Sequence, residues 1–114
     1  MKYTLFDIGG NVVKDNETYV LKDNTELKNL VVSSTLLHPH KSTRGHSHEG
    51  QEEVYTFVAG NGVIDLHYPD GSIKTIPVGA NDVVLIEDGV FHRVHNVSEY
   101  PLYFVCVFDG KRNH

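Results

Sequence analysis

Hydrophobic and polar residues alternate with a period of two along most of the chain. Segments such as EVYTFVAG (53–60) and PLYFVCVF (101–108) are rich in β-branched and aromatic residues. Alternation of this kind over four to eight residues is typical of half-buried β-strands. No segment carries the 3.6-residue period of a long amphipathic helix. The pattern therefore predicts an all-β chain.

Turn signals separate the predicted strands roughly every eight to twelve residues. Asn61-Gly62 predicts a tight hairpin, because both residues tolerate a positive φ. Pro69-Asp70-Gly71 predicts another turn. Such spacing indicates an antiparallel sandwich or barrel. The remaining candidate strands lie at 26–38, 62–68, 72–78 and 82–97, with one or two short strands in residues 1–25.

Composition narrows the class of protein. The 114 residues suffice for one domain. The net charge of −5 argues against a nucleic-acid or anionic-membrane partner, either of which needs a basic patch. No apolar run reaches the length of a membrane span, and the N-terminus does not resemble a signal peptide. The single cysteine, Cys106, excludes an internal disulfide. A cytoplasmic location is expected.

With eight histidines in the chain, an H-x-H pattern can easily arise by chance. The chain has two such patterns, at His38 and His40 and at His46 and His48. Solvated loop histidines would explain either pattern alone. On a strand, however, residues two apart face the same side, so His46 and His48 are predicted to project together.

Downstream, Glu53 begins an apolar strand, and His92 follows a glycine-containing turn. Three imidazoles and one carboxylate on one face would form a mixed nitrogen and oxygen site for a divalent transition metal. Glu53 also shares its predicted face with Tyr55 and Phe57.

These residues resemble the two motifs of the cupin superfamily, and the match is that of a single-domain, type 2 cupin. The first motif continues from the H-x-H through Glu53 to Gly60, and the second runs through Gly89, His92 and Asn96. The chain departs from the motifs at turn positions only. His40 and Asn81 stand where the family has glycine, and Glu87 stands where it has proline.

The resemblance implies a small double-stranded β-helix, or jelly-roll barrel, over about residues 30–108, preceded by N-terminal strands in residues 1–25. It implies one divalent metal ion (iron, manganese, zinc or nickel) held by His46, His48, Glu53 and His92. It also implies frequent homodimers. Open sheet edges need covering in any case, and the strand-like segment 2–8 is a candidate to pair across subunits.

Residues near the predicted barrel mouth are candidates for chemistry on a small-molecule substrate. Arg44 and Lys41 are placed to contact a phosphate or carboxylate. Tyr55 and His40 are the available proton-transfer groups, because Glu53 is already committed as a ligand. Phe57 is predicted to line the barrel interior.

Three functions fit these residues. A metal with open positions can hold adjacent carbonyl and hydroxyl oxygens, which favours isomerisation or epimerisation of a sugar or sugar phosphate. A non-haem iron dioxygenase would use the same ligands. A non-catalytic small-molecule-binding cupin is the third possibility. The sequence favours an enzyme without choosing the substrate.

Overall fold

A computed structural model describes residues 1–47 and 49–111 of the chain. The described residues form nine β-strands and no helix, so no helix there could span a membrane. The all-β prediction is confirmed. The strands are β1 Asn11–Asp15, β2 Tyr19–Asn24, β3 Leu30–Leu37, β4 Glu53–Ala59, β5 Asn61–His67, β6 Ile73–Gly79, β7 Val83–Ile86, β8 Phe91–His95 and β9 Leu102–Asp109.

The strands form two antiparallel sheets. The larger has the order β1-β2-β3-β9-β4-β7, and the smaller has the order β6-β5-β8. Strands adjacent in sequence therefore often lie in different sheets, as in the predicted jelly roll. The chain crosses between sheets after β4, β6, β7 and β8.

The core lies between the inner faces of the two sheets. Alternate residues of each strand point inward, so Phe57 and Phe104 of the larger sheet and Ile64 and Val94 of the smaller sheet are almost fully buried. Burying each such side chain contributes roughly 1.5–3 kcal/mol to folding. The same alternation turns Glu53 and His92 inward, at one end of this core.

The first turn prediction was wrong in position. Asn61 and Gly62 lie inside β5, whereas Gly60 has the positive φ, at +90°. β4 and β5 belong to different sheets, so Gly60 marks a corner between sheets rather than a hairpin. The turn at Pro69-Asp70-Gly71 is confirmed, because it joins the antiparallel pair β5 and β6 and Gly71 has a φ of +90°.

The two positions where the cupin motifs have glycine and this chain does not both have a positive φ. His40 has a φ of 61° and Asn81 a φ of 75°, and these are the non-glycine residues with positive φ among those described. Asn and His enter the left-handed region more readily than most residues. Both positions therefore have a backbone conformation that glycine adopts readily.

The N-terminal segment is not the strand that the sequence suggested. Thr4 to Asp7 form a turn that folds back on the larger sheet. The hydroxyl of Tyr103 donates to the Leu5 carbonyl at 2.6 Å, and Phe6 stacks on the Tyr103 ring. Within the chain this segment contacts Tyr103 of β9, and its pairing across subunits stays a prediction.

Candidate metal centre

Three side chains from separate parts of the chain converge at one end of the barrel. Glu53 is the first residue of β4, His92 is the second residue of β8, and His46 lies in the segment between β3 and β4. One ligand atom from each lies within 4.8 Å of the others. Glu53 Oε2 is 3.0 Å from His92 Nε2 and 3.6 Å from His46 Nε2.

His46 is fixed by its backbone rather than by membership of a strand. Its amide donates to the His92 carbonyl at 3.1 Å, and the His92 amide donates back to the His46 carbonyl at 2.9 Å. This isolated bridge brings the two imidazoles together, with ring centroids 4.4 Å apart. The first histidine is thus held in register with the second although the intervening chain is irregular.

The ring of His92 has its orientation set by Val90. Nδ1 of His92 lies 3.0 Å from the Val90 carbonyl oxygen, which only accepts hydrogen bonds, so Nδ1 carries the proton. In the neutral ring Nε2 then carries a lone pair that points at the Glu53 carboxylate. Two electron-rich atoms 3.0 Å apart repel unless a proton or a metal ion lies between them.

The donor set fits a divalent transition metal. Two ligands about 2.1 Å from such an ion are separated by about 3 Å at right angles and slightly more at tetrahedral angles. The observed separation of 3.0 Å falls in this range, and that of 3.6 Å lies slightly above it. The hydrogen bond from His92 to a backbone carbonyl is also the usual outer support of a metal-bound histidine. The fourth predicted ligand, His48, lies outside the described residues.

A cavity of about 530 Å³ opens beside these three residues. Tyr55 and Arg44, both predicted from sequence, lie on its wall. Tyr55 is buried, with its ring 5.4 Å from that of His92 and stacked on Phe104. A volume in this range accommodates a small-molecule ligand.

The comparison with known proteins decides the family. The family described as Cupin domain matches residues 34–108. The chain is a cupin. The match includes His46, Glu53 and His92, the three described residues that converge in the structure.

Two curated relatives are similar to the chain in sequence. Glucose-6-phosphate isomerase of Pyrococcus furiosus is 27% identical over 106 residues, which cover 86% of the cupin chain and 56% of the relative. The oxalate-binding protein of Thermotoga maritima is 34% identical over 71 residues, covering 62% and 54% respectively. The chain spans about half the length of the curated relatives it matches.

Solved structures of Bacillus subtilis oxalate decarboxylase share the fold. One, from a study of the Mn(II) centres of that enzyme, superposes with a TM-score of 0.81 at 18% identity and covers 91% of this chain but 29% of that one. Another, at pH 4.6, gives a TM-score of 0.77 at 20% identity, covering 82% and 26%. At this identity the likeness establishes the jelly-roll fold alone.

Several predicted site residues of the cupin lie away from the cavity wall. Phe57 is fully buried behind Tyr55 and packs on Phe104, so it belongs to the core. Lys41 is exposed, and its carbonyl accepts a hydrogen bond from the amide of Asn96, the residue after β8. His40 lines a different, open cavity of about 470 Å³ on the outer face of the smaller sheet. His40, Lys41 and Phe57 are therefore not among the residues that line the cavity beside the metal centre.

Sequence reasoning missed polar residues on the opposite wall of the main cavity. Ser33 and Thr35 of β3 point inward, and Lys14 of β1 lies at the rim. Hydroxyl residues at the inward positions of a strand otherwise filled by apolar residues are a signal that was available. Lys14 offered no such signal, because the place of β1 beside β2 depends on tertiary pairing.

The outer cavity contains a hydrogen-bonded chain that the sequence did not reveal. Ser42 Oγ lies 2.7 Å from His95 Nδ1, and His95 Nε2 lies 2.7 Å from Asp65 Oδ2. Thr75 donates to the other oxygen of Asp65 at 2.8 Å. The hydrogen bonds from Thr75 and then from His95 lower the pKa of Asp65 below its ordinary value. His95 faces away from His92, as its position in β8 predicted.

Proposed function

We propose that this cupin holds one divalent transition metal ion through His46, His48, Glu53 and His92. Support comes from the convergence of the three described side chains and from the 3.0 Å approach of His92 Nε2 to Glu53 Oε2. His48 enters the proposal through its place in the sequence motif. Four protein ligands leave about two positions of a six-coordinate ion for a ligand.

We further propose that the site acts on a small molecule with adjacent carbonyl and hydroxyl oxygens, as an isomerase of a sugar or sugar phosphate. The relative from Pyrococcus furiosus, named glucose-6-phosphate isomerase, supports this class of reaction. A bound divalent metal would act as a Lewis acid that polarises the carbonyl and acidifies the neighbouring carbon-bound proton.

The chain's own residues would supply orientation and proton transfer. Tyr55 is the predicted proton-transfer residue that reaches the cavity wall, and its contact with the His92 ring places it beside the metal ligands. Arg44 and Lys14 line the same cavity and would attract a phosphate or carboxylate on the ligand. The packing of Tyr55 on Phe104 restricts the phenol to a narrow range of positions.

A second candidate is a binding protein without turnover. The oxalate-binding relative supports it. Oxalate carries two adjacent oxygens that suit the same pair of metal positions. In that case Arg44 and Lys14 would balance the charge of a small dianion. We retain a homodimer and a cytoplasmic location as parts of either proposal.

A ligand and turnover panel separates the candidates. The metal-replete protein would be incubated with aldose and ketose phosphates, free sugars, oxalate and catechol-like compounds, with and without oxygen. The isomerase proposal predicts aldose–ketose conversion that is indifferent to oxygen and is lost in Tyr55→Phe while metal content stays unchanged. Oxalate binding without conversion of any compound would favour the binding protein. Turnover that stops without oxygen would indicate a dioxygenase and reject the isomerase.

A further inference from the structure

We propose that Ser42, His95 and Asp65 form a second reactive site, in which Ser42 is a nucleophile toward short-chain carboxylic esters. The site lies on the outer face of the smaller sheet, in the open cavity of about 470 Å³, and uses none of the metal-centre residues. Its three members are joined by two hydrogen bonds of 2.7 Å each.

The chemistry of Asp65 assigns the protons in this chain. An ionised carboxylate only accepts hydrogen bonds, so Nε2 of His95 must donate to it. In the neutral ring Nδ1 is then an acceptor, and the Ser42 hydroxyl donates to it. This is the arrangement by which a histidine activates a serine, with the carboxylate fixing the tautomer and stabilising the imidazolium. The lowered pKa of Asp65 keeps it ionised at neutral pH.

The backbone holds Ser42 in place on both sides. The Asn96 amide donates to the Lys41 carbonyl at 2.9 Å, and the Thr43 amide donates to the Val94 carbonyl at 2.9 Å. Asp65 is likewise fixed on β5, where Thr75 of the neighbouring strand donates to it. The site is therefore preorganised, which nucleophilic catalysis requires.

The cavity suits a small acyl group. Val63 and Val97 provide apolar walls, and Val97 is exposed. In the reaction Ser42 Oγ attacks the ester carbonyl carbon while its proton passes to Nδ1 of His95. The bond from that carbon to the alcohol oxygen then breaks, and the alcohol leaves with the proton from Nδ1. Water, activated by the same imidazole, attacks the acyl-serine and releases the carboxylic acid.

The same hydrogen bonds also fasten residues 41–43 to β8, so the test needs a variant that keeps the bonds and removes the base. His95→Gln does this, because an amide can donate to Asp65 and accept from Ser42 but cannot take the proton. Ser72→Ala is the matched serine control, because Ser72 Oγ donates to Asp70 at 2.6 Å rather than to a histidine.

The experiment is covalent labelling by a fluorophosphonate, followed by intact-mass and peptide analysis. In this reaction the Ser42 Oγ–P bond forms, the P–F bond breaks, and fluoride leaves as His95 takes the proton. We expect one adduct per chain, on Ser42, in the wild type and in Ser72→Ala. Labelling should be abolished in Ser42→Ala and slowed about 100-fold or more in His95→Gln, the range for loss of a general base. Thermal melting would verify that both variants fold.

Treatment with a metal chelator should leave the labelling rate unchanged, which separates this site from the proposed metal centre. The proposal is overturned if the wild type is not labelled, if the adduct lies on another residue, or if His95→Gln reacts as fast as the wild type. Hydrolysis of p-nitrophenyl acetate by the wild type, lost in Ser42→Ala and retained in Ser72→Ala, would extend the result from labelling to turnover.

Discussion

Nε2 of His92 lies 3.0 Å from Oε2 of Glu53, while the other nitrogen of the same ring donates to the Val90 carbonyl. Both side chains are almost completely buried, at 3% and 4% exposed. A buried carboxylate and an imidazole nitrogen at this separation are stabilised by a proton or a metal ion between them. With the bridged His46 at 3.6 Å from the same carboxylate oxygen, this geometry supports the proposed metal centre at one end of the cupin barrel.

The cationic residues on the cavity wall should decide affinity for anionic ligands. We predict that Arg44→Ala weakens the binding of a sugar phosphate about tenfold, equivalent to about 1.4 kcal/mol, because a charge-assisted hydrogen bond is lost. The kcat and the metal content should change little. Calorimetric titration and steady-state kinetics would measure these effects.

Two comparisons control for general damage. Lys28→Ala removes a surface cation that is exposed and does not line the cavity, and it should bind the sugar phosphate as the wild type does. The unphosphorylated sugar should bind equally to wild type and Arg44→Ala. Equal weakening for both ligands would contradict a role of Arg44 in anion binding.

The sequence predicted those parts of the site that local periodicity controls. Glu53 and Tyr55 share an inward face because β4 alternates regularly, and His92 faces inward on β8 for the same reason. Positions in irregular segments could not be obtained this way. His46 is held by a bridge to His92 that no local pattern encodes. At His40 the backbone has a positive φ, and the residue lines the cavity on the outer face of the smaller sheet.

Long-range pairing of strands could not be predicted from the sequence either. Lys14 reaches the cavity only because β1 pairs with β2 at the edge of the larger sheet. Asp65 and His95 are 30 residues apart, and they meet because β5 and β8 are neighbours in the smaller sheet. The predicted hairpin at Asn61 failed for the same reason, since the strands on either side of Gly60 pair with other partners.

Asp65 should make folding stability depend on acid pH. Its pKa is lowered in the folded protein, so its contribution is present above the unfolded pKa of about 4 and is lost as pH falls through the folded pKa. We predict that Asp65→Asn lowers the free energy of unfolding by about 1–2 kcal/mol at pH 7. The difference from wild type should shrink below about pH 4. Urea denaturation at both pH values measures it, and a difference that grows on acidification would contradict the assignment.

An apolar row on the outer face of the larger sheet supports the proposed homodimer. Val32, Val107, Val54 and Leu85 are successive cross-strand partners over four strands, and Leu85 is 67% exposed. We predict that Leu85→Glu yields a monomer at micromolar concentration by light scattering, because a charge opposes burial of this row. Ile73→Glu, at an exposed residue of the smaller sheet, should remain dimeric. A monomeric wild type would end this prediction.

Gly60 should tolerate no side chain. Its φ is +90°, and an added Cβ would collide with the Pro101 carbonyl oxygen. We predict that Gly60→Ala lowers the free energy of unfolding by about 2–4 kcal/mol. Gly71 has the same φ with nothing within 4 Å of an added Cβ, so Gly71→Ala should cost only the backbone strain, about 1–2 kcal/mol. Equal losses in thermal and chemical denaturation would show that the contact with Pro101 does not matter.

The metal content of three proteins tests the central claim most directly. Wild type, Glu53→Gln and Glu52→Gln would be expressed with divalent metals supplied, dialysed and measured by elemental analysis. Glu52 is the matched control, because it directly precedes β4 and is exposed, whereas Glu53 is buried. The account predicts about one metal ion per chain in wild type and Glu52→Gln, and a large loss in Glu53→Gln, since an amide replaces the anionic ligand. Equal metal content in Glu53→Gln and wild type would contradict the account.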